Sequence, residues 1–391
     1  MKSVIFLLSI ILGLIGCSIG DFENSGQCSL VDPSNVVTGV GGDYELMVDP
    51  QDPDGNLIFT ANLANGASSI VVARVDGSTG MFIDGSLTTI ANNFNGKAKI
   101  NGPEFVQLSS GEFGIVYAGP DGVHAVFRGA TPSAWNDFRF DVMGSAATSN
   151  PPALPATSYR MYPGAGMRLG ENILPQFDGS FSSVSLGDMR SNTMTALAPQ
   201  TAALGFTVYG AAFSPRDHYL LFSVCDASNA CGIYETKIDN SGVFVPNTLT
   251  KLANSPAATN VENMAAIRHP VTGSTILYVN RGTVDVWEQP AAGGPITLLK
   301  QVQAPGNTHF RVESDNDKVV LHYLVRTGSG TGTYTLPITA VNGKHVVGTV
   351  RKVSAQAAGT ELIWLPAVNK WAVYYRDKTA SGAMTRCWIE P

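Results

Sequence analysis

The chain has 391 residues, of which 44% are hydrophobic and only 14% charged, a balance that excludes disorder and allows one large core. Its formal net charge is -6, and loss of Lys2 with an N-terminal leader makes the remainder one unit more acidic. Nucleic acid is disfavoured as a partner, because phosphates need a basic surface and the sequence has no Lys/Arg cluster.

Residues 1–16, MKSVIFLLSIILGLIG, set one basic residue before an apolar run of about a dozen, shorter than the roughly 20 residues that cross a bilayer. This is the pattern of a signal peptide. Leu14-Ile15-Gly16-Cys17 resembles the lipobox of bacterial lipoproteins. The resemblance implies lipidation of Cys17, a short linker over residues 17–27 and a membrane tie through the lipid alone. The alternative is cleavage after Ser18-Ile19-Gly20, which discards Cys17 and frees the protein. With Ser18 rather than aspartate behind the cysteine, the Gram-negative pattern implies delivery to the outer membrane. No later stretch is long and apolar enough to span a bilayer, and there is no Asn-X-Ser/Thr sequon.

From residue 28 to 391 the sequence reads as a single all-β domain. The 41 glycines and 22 prolines of the full sequence are spread along the chain between short runs rich in Val, Ile, Phe and Tyr. A hairpin unit recurs: an apolar segment, a polar turn, then a strand of β-branched and aromatic residues. It occurs at YELMVDPQDPDGNLIFTA from Tyr44, EFVQLSSGEFGIVYAG from Glu104 and VYGAAFSPRDHYLLFSV from Val208. It returns at ENMAAIRHPVTGSTILYV from Glu262, FRVESDNDKVVLHYLV from Phe310 and ELIWLPAVNKWAVYYRD from Glu361. The unit near Met167 is the weakest. A mean spacing of roughly 50 residues fits four short strands and their turns, the size of a propeller blade. The turns Phe213-Ser214-Pro215-Arg216-Asp217 and Asp52-Pro53-Asp54-Gly55 resemble those of TolB-like bacterial β-propellers. The expected architecture is one β-propeller of seven four-stranded blades, with six the alternative because residues 158–190 are degenerate.

The last unit supplies three strands, Glu361 to Leu365, Trp371 to Arg376, and Met384 to Ile389, which contains Cys387. A strand from the region Cys28 to Val40 would complete that blade, and a Cys28–Cys387 bridge would lock the ring. In LLFSVCDASNACGIYE, Cys225 and Cys231 flank a turn, so a disulfide across the hairpin is expected. A metal site would need a second Cys or His pair.

Chemistry is less legible. The sequence has no Gly-X-Ser-X-Gly elbow, phosphate loop, His-Glu-X-X-His or dinucleotide fingerprint. Gly328-Ser329-Gly330-Thr331-Gly332 reads as a hairpin loop. Asp49, Asp52 and Asp54 read as a turn rather than a calcium loop, since an EF-hand register puts Pro50 and Ala61 at ligand positions. Neither a metal nor a cofactor is called for. Polar residues do gather where strands begin: Glu45, Glu104, Arg160, Glu262, His309, Arg311 and Glu361. In THFRVES, His309, Arg311 and Glu313 alternate with Phe310 and Val312, which puts the polar groups on one face of a strand. Glycan cleavage would use paired carboxylates, with Glu104 and Glu262 the first choice and His309 and Arg311 as substrate or charge-stabilising groups. A lyase would instead use His309 or His124 with Tyr209. Glu45, Arg160, Glu361 and Trp135, the last in a loop-like context, are the ligand-binding candidates. The plainer reading is that such groups are solvated or satisfy loop backbone. Two functions follow: an envelope binding or scaffold protein, a monomer contacting protein or glycan, or a secreted polysaccharide hydrolase or lyase.

Overall fold

The computed structural model describes residues 28–31, 40–91, 103–140, 173–196, 207–255, 263–305, 310–355, 360–376 and 384–391, less short loop stretches inside those spans. The elements among the described residues are 28 β-strands. They form antiparallel sheets, seven among the described residues.

The short first strand, β1 (Cys28–Leu30), is separated from the sheet that follows it in sequence and joins the last one. Next come β2 (Val40–Val48), β3 (Leu57–Leu63), β4 (Ser69–Val75) and β5 (Thr88–Ala91), paired in chain order. The second sheet is β6 (Glu104–Gln107), β7 (Phe113–Gly119), β8 (Gly122–Arg128) and β9 (Trp135–Phe140). The described residues of the third are β10 (Ile173–Phe177), β11 (Val184–Asp188) and β12 (Thr193–Ala196). The fourth is β13 (Thr207–Phe213), β14 (Tyr219–Cys225), β15 (Cys231–Lys237) and β16 (Thr250–Lys251). The fifth is β17 (Asn263–Arg268), β18 (Thr275–Asn280), β19 (Thr283–Gln289) and β20 (Thr297–Gln303).

The sixth sheet departs from the four-strand expectation. It contains β21 (Phe310–Ser314), β22 (Lys318–Val325), β23 (Gly332–Val341), β24 (Lys344–Val347) and β25 (Arg351–Ser354). β24 pairs with the second half of β23, from Ile338, and β25 with its start, Thr333 to Thr335. The changeover falls at Pro337, which has no N–H to extend a ladder and accepts instead from Gly348 N–H at 2.9 Å. Asn342 and Gly343, at φ 52° and 73°, form the two-residue loop between β23 and β24, as a type I′ turn requires. The last sheet is β26 (Thr360–Leu365), β27 (Lys370–Arg376) and β28 (Met384–Ile389), close to the three strands read from the sequence.

Burial follows position in the sheet. β18 is buried along its whole length, whereas β20 is mostly exposed. Central strands covered on both faces can be apolar throughout, and edge strands carry the polar residues. The core lies between neighbouring sheets. Tyr44, Phe59 and Val71 of the first sheet pack with Ile363, Ala372 and Tyr374 of the last. Ile276, Tyr278 and Val286 of the fifth pack with Leu321, Tyr323 and Leu336 of the sixth. The first strands also touch one another: β2 meets β6 and β26, β21 meets β17 and β26, and β13 meets β10 and β17.

β1 lies antiparallel to β28 with Cys28 opposite Cys387, and the two form a disulfide. Cys231 is also disulfide-bonded, and Cys225 stands opposite it in the β14–β15 register. Cys17 lies outside the described residues.

Candidate functional site

Because side chains alternate along a strand, every second residue of a first strand faces its counterparts on neighbouring sheets. Glu45 on β2, Arg311 and Glu313 on β21, and Glu361 on β26 are placed in this way. Arg311 is ion-paired with Glu45, and its Nε lies 2.5 Å from Glu361 Oε2. The other oxygen of Glu45, Oε2, accepts from the Phe105 N–H of β6 at 2.6 Å. One guanidinium and two carboxylates therefore join four sheets. The side chains of Glu45 and Glu361 are each 6% exposed, and that of Arg311 is 18% exposed.

Glu313 completes the cluster. Burial raises its carboxyl to about 7, with Glu45 adding to the rise and the Arg311 charge opposing it. On the next strand the buried His322, opposite Arg311 in the β21–β22 register, has Nε2 3.1 Å from Thr360 Oγ1. Chemically, the cluster offers a carboxyl that exchanges a proton near neutrality, beside an ion pair with little exposure.

Of the residues singled out by sequence, Glu45, Arg311 and Glu361 come together. Glu104 begins β6, next to the Phe105 amide that Glu45 accepts from. The side chain of Glu104 lies outside the described residues, as do Glu262, His309 and Arg160. Trp135 is not in a loop but opens β9, opposite Arg128. A Trp-Phe-rich segment fits a pleated surface, and cross-strand pairing with β8 holds it there, at the far side of its sheet from β6. His124 lies on β8, the third strand, and Tyr209 lies at an irregularity of β13 between Val208 and Gly210.

The Asp49–Asp54 segment is a turn. Asp49 accepts from the Gln51 N–H at 2.9 Å and is ion-paired with buried Arg128 of β8. Burial works against ionisation of Asp52, but hydrogen bonds from Asn56, the Asp54 N–H and Arg74 outweigh it and hold the carboxyl below its usual range. Among the described residues no group of three or more His, Cys, Asp or Glu side chains is arranged to hold a metal.

A second polar cluster, not foreseen from the sequence, lies between the fifth and sixth sheets. It comprises His269, Thr272, Ser274 and Glu288 from one side and His345 from the other. Its members stand up to 76 positions apart and meet only because the sheets pack, so no local motif marks them.

No protein-family model matches the sequence, and no curated protein matches it. Among solved structures, the chain is similar to a candidate 6-phosphogluconolactonase from Bacteroides fragilis, at 14% identity and a TM-score of 0.50, over 86% of this chain and 95% of that one. It is also similar to a candidate 6-phosphogluconolactonase from Bacteroides uniformis, at 13% identity and a TM-score of 0.47, over 84% and 93% of the two chains. A periplasmic gluconolactonase from Pseudomonas aeruginosa gives 14% identity and a TM-score of 0.46 over 85% and 94%. The first of these likenesses is one of fold: the chain is all-β and propeller-like.

Proposed function

We propose that the protein is an exported, seven-bladed β-propeller that acts as a non-enzymatic binding or scaffold protein at the cell envelope, held there by a lipid on Cys17. In this reading each sheet is one blade, and β1 with the Cys28–Cys387 disulfide fastens the ring. The disulfides support an oxidising compartment. The partner is an envelope protein or a glycan, and the protein works as a monomer.

The observation that carries the binding role is the way the central charges are used. Glycoside cleavage needs one carboxyl free to give a proton and a second free to attack or to activate water. Glu45 and Glu361 instead share the Arg311 guanidinium, and the remaining Glu45 oxygen is taken by the Phe105 amide. These groups join sheets.

One observation favours the enzymatic alternative, a secreted carbohydrate-active hydrolase or lyase. Glu313, raised to about 7, has the proton affinity of a general acid at neutral pH. A glycan array combined with a polysaccharide-degradation screen on the leader-free protein separates the two. Retention of a glycan or envelope protein without release of reducing ends is the expected result. Release of reducing ends that disappears in Glu313→Gln would replace the binding role with catalysis. Incorporation of labelled fatty acid that is lost in Cys17→Ala tests the anchor.

A further inference from the structure

We infer that the contact between His269 and His345 is an acid-sensitive latch, which fastens the β17–β18 turn to the β23–β24 hairpin at neutral pH and releases it as the medium acidifies. It lies apart from the Arg311 cluster and does not depend on the ligand proposed above.

His269 is fully buried at the end of β17. Its Nε2 lies 3.1 Å from the Ile338 carbonyl on β23, and its Nδ1 3.3 Å from the Val271 amide nitrogen. A carbonyl can only accept and an N–H can only donate, so these partners fix the neutral ring with its proton on Nε2. The same turn makes a second link, with Thr272 Oγ1 2.8 Å from Nε2 of His345 on β24. The Nδ1 of His345 lies 3.0 Å from Glu288 Oε2 on β19, and Ser274 Oγ donates to the other Glu288 oxygen at 3.2 Å. The two imidazole rings are 4.7 Å apart.

The rings respond differently to a proton. A charged His345 keeps both neighbours, with Glu288 as its counter-ion and the Thr272 hydroxyl as acceptor. A charged His269 does not, because a proton on Nδ1 would confront the Val271 N–H and set a second positive ring against His345. The remaining charged groups nearby are Glu288, Asp315 of the β21–β22 turn, with Lys318 at 3.6 Å from it, and Arg268, whose guanidinium lies over Gly273. Burial lowers the His269 pKa, and the His345 charge lowers it further, against the Ile338 carbonyl, Glu288 and Asp315. When acid charges this ring, the Nε2–H bond to Ile338 survives in place, but the Val271 amide loses its acceptor and the new charge is buried away from water, so the ring moves out to solvent and the turn comes off Ile338 with it.

Release is local. The sheets remain joined by the apolar layer of Tyr278, Val286, Leu321 and Leu336, which has no group that titrates in this range. A rim that opens while its core stays packed is a sub-global opening, which amide exchange detects.

Hydrogen exchange on the intact protein, corrected for intrinsic rates, tests this over pH 7.5 to 4.5 with far-ultraviolet circular dichroism as the check on the fold. Protection at residues 271–274 and 338–345 is expected to fall by about tenfold or more in acid, while the β18 and β22 amides stay protected. His269→Gln keeps a donor for Ile338 without a titrating group, and its protection should stay level to within about twofold. His345→Gln removes the opposing charge and should move the opening to higher pH. Protection that is independent of pH in the wild type would overturn the latch. So would acid opening that persists in both His269→Gln and His269→Asn. If both of those variants are already open at pH 7, an unshifted midpoint in His345→Gln would overturn it.

Discussion

Arg311 ties the first strand of its own sheet to those of two others. Its charge answers two carboxylates that are almost fully covered, so removing it takes an ion-pair partner from both in a poorly solvated place. Arg311→Leu should cost about 3 kcal/mol in denaturant unfolding, and a loss below about 1 kcal/mol would mean that water reaches the pair freely. Glu313 and His269 give the protein opposite pH responses. With a folded pKa of about 7 against an ordinary 4.5, the Glu313 carboxyl holds more protons in the folded state than in the unfolded one between those values. Its contribution is fully present below pH 4.5 and is lost as pH rises through 7, by about 1–3 kcal/mol. Glu313→Gln should remove that slope from unfolding measured across the range. His269 has a lowered pKa, so the unfolded chain takes up its proton first, and stability declines as pH falls below the ordinary value of 6.5. The alternation in THFRVES already put Arg311 and Glu313 on one face. That Glu45, 266 positions away, would be the partner of Arg311 had no local sign.

The hairpins were the most legible elements, because a polar turn between two apolar runs states both the strands and their pairing. Their irregularities were less so. Nothing in the repeat announced that β23 would take two short partners, since that depends on the missing N–H of Pro337 at a particular point in a ladder. At the Asn342-Gly343 loop only the backbone conformation calls for glycine: a Cβ on Gly343 would meet nothing within 4 Å. Gly343→Ala should therefore cost only about 1 kcal/mol, the price of a positive φ. Gly77 is the contrasting case. A Cβ there would run into the carbonyl of Gly55, whose turn is tied to it by the Gly77 N–H donating to Asn56 Oδ1 at 3.0 Å. Gly77→Ala should destabilise by about 3 kcal/mol, because backbone on both sides must move. Thermal unfolding of the two variants side by side gives the comparison, and equal losses would contradict the packing of those turns.

At the scale of the whole molecule the two ends are the point of control. The disulfide links residues 359 positions apart, and in the chain-entropy model closing so long a loop contributes about 6 kcal/mol, although native disulfides generally give about 2–5. Replacing Cys28 and Cys387 by Ser should lower the denaturant midpoint while leaving the strand content intact. Non-reducing peptide mapping should recover Cys28 joined to Cys387, and Cys28 joined to Cys225 instead would contradict the proposed closure. By itself, the sequence determined the all-β class, the hairpin units and the pairing of its two ends, because turn chemistry, alternation and cysteine placement act over short stretches or through a single covalent bond. Only the tertiary structure decided which charges meet. Ion pairs such as Arg311 with Glu45, and contacts such as His269 with His345, form where separate sheets bring distant side chains within a few ångströms, and their energies arise from burial that no local pattern encodes.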